Sequence, residues 1–423
     1  MAFKIWSARQ KLQSQVDLLT LGSGLSGVQY NVTVNGKTVS FKTSGDQALM
    51  TVVSGILSGL RACTESEFQE ITWAAGVNSG QITATAVTPG KPFFMSVGVN
   101  NASGFFQNSG ATAGTNSGYI NNLSPEDLGD GVNWDTSGLP AAGDTVVFDG
   151  MVKTAAKWSL RSLSGVALSA FEVLAQYGGA DAQIGLQELD EDEGYPQYRD
   201  RYAGISAPVI NIGKGTGQAI RLCKLDQGAS GLEFNLYRNG TSRETNRAAT
   251  VIKGINPSGR INIFAGSLEV APLGGESGRI VLVNVAGGSI RFGFGADLAS
   301  GVINNQGGGL TINGAVNTFN HRGGAGSLEG SGGILNLNVQ GGNLTHRGTG
   351  PIGVITITTP ASLNLGGGNI SLVISGSVTM NANTSLSDRG FRGTYASGII
   401  LNGTSITNVN IDFGQASRTI KPT

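Results

Sequence analysis

Two histidines occur in the chain, and both lie in a repeated His-Arg-Gly sequence. Asn320-His321-Arg322-Gly323-Gly324 recurs 25 positions later as Thr345-His346-Arg347-Gly348-Thr349. Paired imidazoles could bind a metal or transfer protons, but no Cys, Asp or Glu stands beside either histidine to complete a metal site. A simpler interpretation is that 25 residues make one rung of a stacked fold, so that His321 lies over His346 in a structural ladder.

An acidic run, Glu188-Leu189-Asp190-Glu191-Asp192-Glu193-Gly194, is the second candidate. Carboxylates bind calcium, but this run lacks the alternating ligand spacing of an EF-hand loop. It is followed by Arg199 and Arg201. We therefore expect Asp190, Glu191, Asp192 and Glu193 to form a solvated loop or to pair with those arginines between subunits. No catalytic residue, cofactor or metal is predicted.

Two enzymatic patterns are weaker. Residues 213–217, Gly-Lys-Gly-Thr-Gly, do not have the Walker spacing, and a strand pattern rather than a helix follows them. Glycan cleavage needs a pair of carboxylates, but after residue 205 the acids are scattered and no pair recurs at a rung offset. Carboxylates on distant rungs can still converge, so a glycan-cleaving enzyme is kept as an alternative.

The amino-acid composition narrows the possible classes of protein further. Glycine accounts for 67 of 423 residues, about twice the usual 7%, and charged residues, at 13%, are about half as frequent as usual. Lys+Arg and Asp+Glu are both 28, so the basic excess of a nucleic-acid-binding protein is missing. No apolar run approaches the roughly 18 residues that would span a bilayer, and the N-terminus lacks the apolar core of a signal peptide. We therefore expect a chain without membrane insertion that is made in the cytoplasm and stays reduced.

The first hundred residues predict a small α+β module. Residues 29–34 and 37–41 alternate apolar and polar side chains around Asn35-Gly36, a strong hairpin signal. Ser44 and Gln47 fit a capping box for a helix ending at Cys63. Its apolar face is expected to contain Leu49, Val52, Val53, Ile56, Leu57 and Leu60. Further strands are predicted at residues 16–21, 71–75, 81–86 and 93–97.

From about residue 145 the chain consists of short apolar strands separated by glycines. This pattern is typical of a β-solenoid, whose tight corners favour glycine. Trp134 is expected to cap the start of the stack, just before a Pro-x-x-Gly-Asp turn. Strands are predicted at residues 209–212, 260–264, 279–283, 289–292, 310–313, 334–337, 354–358 and 371–374.

Together these patterns predict a mainly β protein, in which a small α+β module precedes a right-handed parallel β-helix. The expected divisions are an N-terminal arm (1–16), an attachment module (17–100), a linker with the start of the β-helix (101–144), the β-helix itself (145–400) and a C-terminal cap (401–423). Ile406, Val409, Ile411 and Phe413 are expected to close the distal end.

The module resembles a small domain common in phage structural proteins, through residues 32–41, the helix and residues 85–93. Residues 175–177, 184–186, 198–199 and 208–213 are similar to β-helical proteins encoded in phage-like clusters. The resemblance implies a non-enzymatic virion fibre, spike or capsid decoration protein located in the particle. It also implies a homotrimer that contacts other virion proteins through the module and could contact a host-surface glycan. A tailspike depolymerase and a cell-surface adhesin are the alternatives.

Overall fold

The protein is seen here as a computed structural model. It describes residues 2–22, 24–100, 106–108, 124–190, 194–227, 233–272, 278–358, 360–366, 372–389, 393–402, 408–414 and 421–422. Strands make up 46% and helices 6%, so the predicted mainly β class is confirmed. The buried apolar side chains form two separate cores, one in an N-terminal module and one in a long β-solenoid.

The module consists of two antiparallel sheets and a helix, Leu49–Ala62, followed by the short helix Ser66–Gln69. The predicted hairpin is confirmed, and both turn residues have positive φ, 50° at Asn35 and 75° at Gly36. One sheet pairs Ile71–Ala75, Gln81–Ala86, Val16–Leu21 and Phe106–Asn108, and the other pairs Lys37–Lys42, Gln29–Val34 and Met95–Val99.

The helix differs from the prediction at its start. It begins at Leu49, and its N-cap is Ala48, whose methyl group cannot accept a hydrogen bond. The capping box at Ser44 and Gln47 is therefore wrong, because the Gln47 N–H instead donates to the carbonyl of Gly24, 2.8 Å away. The predicted apolar face is correct, with Val52, Val53, Ile56, Leu57 and Leu60 buried.

The solenoid makes about 11 turns over residues 145–412. Two parallel sheets run along it. Sheet 1 contains Phe3–Ile5, Thr145–Phe148, Ala170–Leu174, Val209–Lys214, Glu233–Leu236, Ile255–Ile263, Gly278–Val285, Ala296–Asn305, Val316–His321, Ile334–Val339, Ile352–Ile357, Leu372–Ile374, Val378–Met380, Gly393–Tyr395, Ile399–Leu401 and Lys421–Pro422. Sheet 2 contains Ala203–Ile205, Cys223–Gln227, Thr250–Lys253, Ser267–Val270, Ser289–Phe292, Gly308–Ile312, Ala325–Glu329, Gly342–His346, Ala361–Asn364, Thr384–Ser387 and Asn410–Asp412.

Alternation along the middle strands of sheet 1, from Val209–Lys214 to Ile334–Val339, separates the core from an asparagine ladder. Ile261 and Ile263 are buried in the solenoid core, while Asn262 between them belongs to the ladder. Each ladder amide after Asn211 donates to the side-chain carbonyl of the asparagine one turn below, as from Asn262 Nδ2 to Asn235 Oδ1 at 2.8 Å, and the Asn211 amide donates to Glu172 Oε1. The ladder contains Asn211, Asn235, Asn262, Asn284, Asn304, Asn320 and Asn338.

Stacked glycines form one corner of the solenoid. At Gly288 φ is 80°, and a Cβ there would lie 2.3 Å from the carbonyl oxygen of Gly266 in the turn below. Gly342 repeats the arrangement over Gly324, with φ 66° and a Cβ-to-oxygen distance of 2.2 Å. Only glycine fits such corners without strain or clash, which accounts for part of the glycine excess.

The N-terminal residues belong to the solenoid. Phe3–Ile5 pairs in parallel with Thr145–Phe148 and forms the first strand of sheet 1. Trp6 follows it and lies in the solenoid core beside Trp134, so the predicted capping role of Trp134 is confirmed. The module is thus inserted between the first two strands of sheet 1, and the expected separate arm is part of the solenoid cap.

Both connections to the module lie close together. The Ser7 and Ala8 amides donate to the carbonyl of Asn133, the Gln10 amide donates to Asn133 Oδ1, and Asn133 Nδ2 donates to Ser124 O. The module itself reaches beyond the predicted limits of residues 17 and 100. At one end Gln13 accepts from the Gly90 amide, and at the other Phe106–Asn108 joins the module's sheet.

At the other end of the solenoid, Phe413 is buried and Val409 and Ile411 pack partly against the core. Asn410–Asp412 is the last strand of sheet 2. These contacts agree with the predicted cap, while Ile406 lies outside the described residues.

Candidate functional site

A loop of the solenoid, residues 187–202, packs against the module. The described part of this junction loop contains a tight antiparallel turn, in which the Asp190 amide donates to Tyr195 O and the Gln197 amide donates to Glu188 O, both at 2.8 Å. The turn presents Tyr195, Tyr198 and Arg199 to the module.

Glu70 of the module is the centre of a buried polar cluster. Arg199 Nη2 lies 2.6 Å from Glu70 Oε2, and the Tyr195 hydroxyl donates to the same oxygen at 2.8 Å. The Tyr198 hydroxyl donates to Glu70 Oε1. We call Glu70, Lys91, Asp190, Tyr195, Tyr198 and Arg199 the junction cluster.

The electrostatics of the junction cluster favour a protonated phenol at each tyrosine. Burial raises the pKa of Tyr195 and Tyr198 well above the ordinary value of 10, so both hydroxyls remain donors to the Glu70 carboxylate. Burial alone would lower the pKa of Arg199, but Tyr198 and Glu70 beside it raise it above its ordinary value. A charged guanidinium therefore neutralises the buried carboxylate, as a buried ion requires.

Lys91 and Asp190 complete the junction cluster. Lys91 Nζ lies 3.2 Å from Asp190 Oδ2 and 3.4 Å from Glu70 Oε2. Arg199 Nη1 lies 3.7 Å from the same Asp190 oxygen, and its guanidinium is 4.4 Å above the Tyr198 ring. The two cations and two carboxylates alternate in space, so each buried charge has an opposite partner.

A second polar network fastens the junction loop to the solenoid. Arg247 lies 2.6 Å from Glu188 and 3.1 Å from the buried Glu269. Glu244 accepts from the Glu188 amide and from Lys224 Nζ, each at 2.7 Å. Burial lowers the pKa of Lys224, although Glu244 acts in the opposite direction. The loop is therefore held by charged groups on both sides.

Two cavities flank the junction, and Trp158 and Lys157 line both. The first, of about 350 Å³, is also lined by Phe94, Arg161 and Arg199. The second, of about 260 Å³, lies between residues 88–91 of the module and Gln183 and Arg243 of the solenoid. The first cavity is the more apolar of the two, and polar side chains dominate the second.

Only part of the acidic run lies within the described residues. Asp190 pairs with Lys91 and Arg199 of its own chain, and Glu188 pairs with Arg201 and Arg247. Pairing with the following arginines is thus seen within one chain. Glu191, Asp192 and Glu193 lie outside the described residues. Among the described residues, no group of three or more His, Cys, Asp or Glu is placed to hold a metal ion.

The predicted histidine ladder is wrong. His321 is in sheet 1, aligned with Asn305 and Val339, whereas His346 is in sheet 2, aligned with Leu328. In this part of the solenoid one turn takes 18 residues, as from Asn320 to Asn338, so an offset of 25 leads to the other sheet. Both histidines are buried.

Reasoning from sequence missed Glu70 and Lys91. Each lies in an irregular stretch of the module, and their partners are about a hundred residues away. The acidic run followed by Arg199 and Arg201 is the local signal that indicated a contact surface here.

The comparisons with known proteins leave the class open. No protein-family model matches the chain, and no curated protein matches it either. In the described part of the chain, none of the helices combines the length and apolar character needed to cross a membrane.

Proposed function

We propose that this protein is a structural component of a phage virion, a rigid fibre, spike or capsid decoration protein. The module attaches to the particle, and the solenoid projects from it toward a surface. The assignment to a virion is supported by the resemblance of residues 32–41 and 85–93 to a domain of phage structural proteins. The assignment to a rigid rod is supported by the fold.

The observation that carries the proposal is the way in which the module is fixed to the solenoid. The chain enters and leaves the module at neighbouring points beside Asn133. The Glu70–Arg199 pair adds a buried contact between two residues that are about 130 positions apart in the sequence. Two chain connections and one buried cluster resist rotation of the module, which suits a part that transmits force between an anchor and a rod.

In this proposal the partners are other virion proteins, bound by the module, and two further copies of the chain. Virion fibres and spikes of this architecture are often homotrimers. The zero net charge is compatible with close packing of like subunits, because it avoids strong self-repulsion.

Location in the particle tests the proposal. Particles purified from the producing culture are expected to contain the protein at a fixed copy number, and antibodies raised against the solenoid are expected to label projections in electron micrographs. Recovery of the protein in cell envelopes rather than particles would instead support an adhesin. Light scattering is expected to give three times the chain mass of 43.3 kDa, and a monomer would contradict the trimer.

A shallow groove on sheet 2 favours glycan contact as a second role. It has a volume of about 310 Å³, and its walls include Ser267, Ser289, Ser327, Arg247 and Arg291. Hydroxyl and guanidinium groups suit the hydroxyls and carboxylates of bacterial surface glycans. Incubation with host capsule or lipopolysaccharide is expected to show binding without new reducing ends. New reducing ends would support the depolymerase alternative.

A further inference from the structure

One lysine and two carboxylates meet in the interior of the junction cluster. Lys91 Nζ lies 3.2 Å from Asp190 Oδ2 and 3.4 Å from Glu70 Oε2. The side chains of Lys91, Asp190 and Glu70 are only 12%, 8% and 4% exposed. The Tyr195 and Tyr198 hydroxyls bond to Glu70 and cover its carboxylate.

An amine and a carboxyl group in this arrangement can condense. In water an ammonium and a carboxylate do not react, because the amine has no lone pair and the carboxylate is a poor electrophile. Where the amine touches the carboxyl group, a proton can pass between them and give the neutral amine and the neutral carboxylic acid that react. Fixed proximity then removes most of the entropic part of the barrier.

We propose that Lys91 and Asp190 form an intramolecular isopeptide bond, with Glu70 as the proton carrier. Glu70 takes a proton from the Lys91 ammonium and passes it to an Asp190 oxygen, and the nitrogen lone pair then attacks Cγ of the neutral Asp190 carboxylic acid. Glu70 accepts the second proton lost by the nitrogen and delivers it to the Asp190 hydroxyl group, which leaves as water. One C–N bond forms, one C–O bond breaks, the Glu70 carboxylate is regenerated and no other reactant is needed.

Arg199 supports the reaction from the side of Asp190. Its Nη1 lies 3.7 Å from Asp190 Oδ2, where negative charge develops in the tetrahedral intermediate. A fixed guanidinium at that position stabilises the oxyanion.

A second trio in the same chain shows why burial matters. Lys37 pairs with Glu65 and Glu67, but Lys37 is 43% and Glu65 50% exposed. Water stabilises the ammonium and carboxylate there, so this trio remains an ion pair. The contrast makes Lys37 an internal control for the chemistry at Lys91.

The intact mass of the full-length chain tests the proposal, independently of the virion function. The purified chain, unfolded in denaturant, is expected to weigh less than its sequence by one water molecule. Tandem mass spectrometry of a digest is expected to find a branched peptide joining Lys91 to Asp190. The full sequence mass, or a water loss mapped to another site such as Lys224 and Glu244, would overturn the proposal.

Two variants assign the roles. Lys91→Arg keeps the positive charge but cannot condense, and Glu70→Gln keeps the shape but cannot carry the proton, so both are expected to show the full sequence mass. Lys37→Arg is expected to keep the bond between Lys91 and Asp190. A linked Lys91→Arg chain, or a folded and fully linked Glu70→Gln chain, would contradict the assigned roles. Because a misfolded variant would also lack the bond, the mass of the unaltered chain decides the proposal.

Discussion

The indole ring of Trp6 contacts that of Trp134 edge to face, with ring centroids 5.3 Å apart. Trp6 also lies 5.5 Å from Phe148, and its Nε1 donates to the carbonyl of Thr154 at 3.0 Å. The residue before the module is thus packed against residues after it, and one aromatic cluster closes the first turn of the solenoid.

Replacing Trp6 should therefore destabilise the solenoid. Trp6→Ala is expected to lower the free energy of unfolding by about 3–5 kcal/mol, because it leaves a large cavity in the cap. Phe3→Ala is the matched control, since Phe3 lies in the strand that leads to Trp6 and is 67% exposed; a change within about 0.5 kcal/mol is expected. Urea unfolding followed by tryptophan fluorescence and far-UV circular dichroism measures both. Equal losses for the two variants would contradict the capping role.

The solenoid should fold without the module. Gln10 and Ser124 both form hydrogen bonds with Asn133. A short glycine-serine linker can therefore connect the two chain ends after residues 13–121 are removed. The shortened chain is expected to remain monodisperse with β-type circular dichroism and a cooperative thermal transition. Aggregation, or a spectrum without the β minimum, would show instead that the module is needed for folding.

Arg199 should contribute more to stability than an exposed arginine with similar geometry. Arg199→Met leaves the buried Glu70 carboxylate without its cation and is expected to cost about 3–5 kcal/mol. Arg389 forms an exposed pair with Asp412 at 2.6 Å, and Arg389→Met is expected to cost only about 0–1 kcal/mol. Adding Glu70→Gln to Arg199→Met should recover part of the loss. No recovery in the double variant would argue against the electrostatic explanation.

The asparagine ladder should tolerate neither loss of its amides nor a charge. Asn262 donates to Asn235 and accepts from Asn284, both at 2.8 Å. Asn262→Ala is expected to cost about 1–3 kcal/mol, because it leaves two polar neighbours without partners. Asn262→Asp should be worse at pH 7 than at pH 4, since an ionised carboxylate cannot donate to Asn235. Arg260→Ala, at an exposed position on the same strand, is the control for equilibrium unfolding.

Stability should also fall in acid because of His321. Burial lowers the pKa of His321 below its ordinary value of 6.5, so the unfolded chain binds more protons than the folded one at acidic pH. Stability from this group is therefore complete above the unfolded pKa and decreases as the pH falls below it. Urea midpoints at pH 8 and pH 5 are expected to differ less in His321→Gln than in the unaltered chain. An identical pH dependence in both would locate the effect elsewhere.

Local patterns predicted the repetitive parts of the fold, because each turn repeats the same physical requirements. The Asn35-Gly36 hairpin, the strand Ser289–Phe292 and the glycine corners follow from residues next to one another in the chain. The histidine ladder was wrong because turn length varies along the solenoid, and a single 25-residue repeat does not define it. The predicted capping box failed because a tertiary contact to Gly24 binds the Gln47 amide first.

The candidate site could not be predicted in the same way. Glu70 and Lys91 have ordinary local surroundings, and only folding brings them to Asp190 and Arg199. The strand Phe3–Ile5 is equally inconspicuous, because its three residues gain a partner only about 140 positions later. Pairing between short segments that are far apart in the chain leaves no periodic pattern in a single sequence, so it could not be predicted.

The insertion of the module between the first two strands of sheet 1 sets an order for folding. A ribosome that adds 5–20 residues per second completes Thr145–Phe148 roughly 7–30 s after Phe3–Ile5. The module is complete earlier, and once folded it holds its two ends near each other. The loop to be closed then shrinks to a few residues, which lowers its entropic cost. Pulse-labelled hydrogen exchange during refolding is expected to protect Gln29–Val34 before Phe3–Ile5, so that the module acts as the nucleus for the first turn of the solenoid.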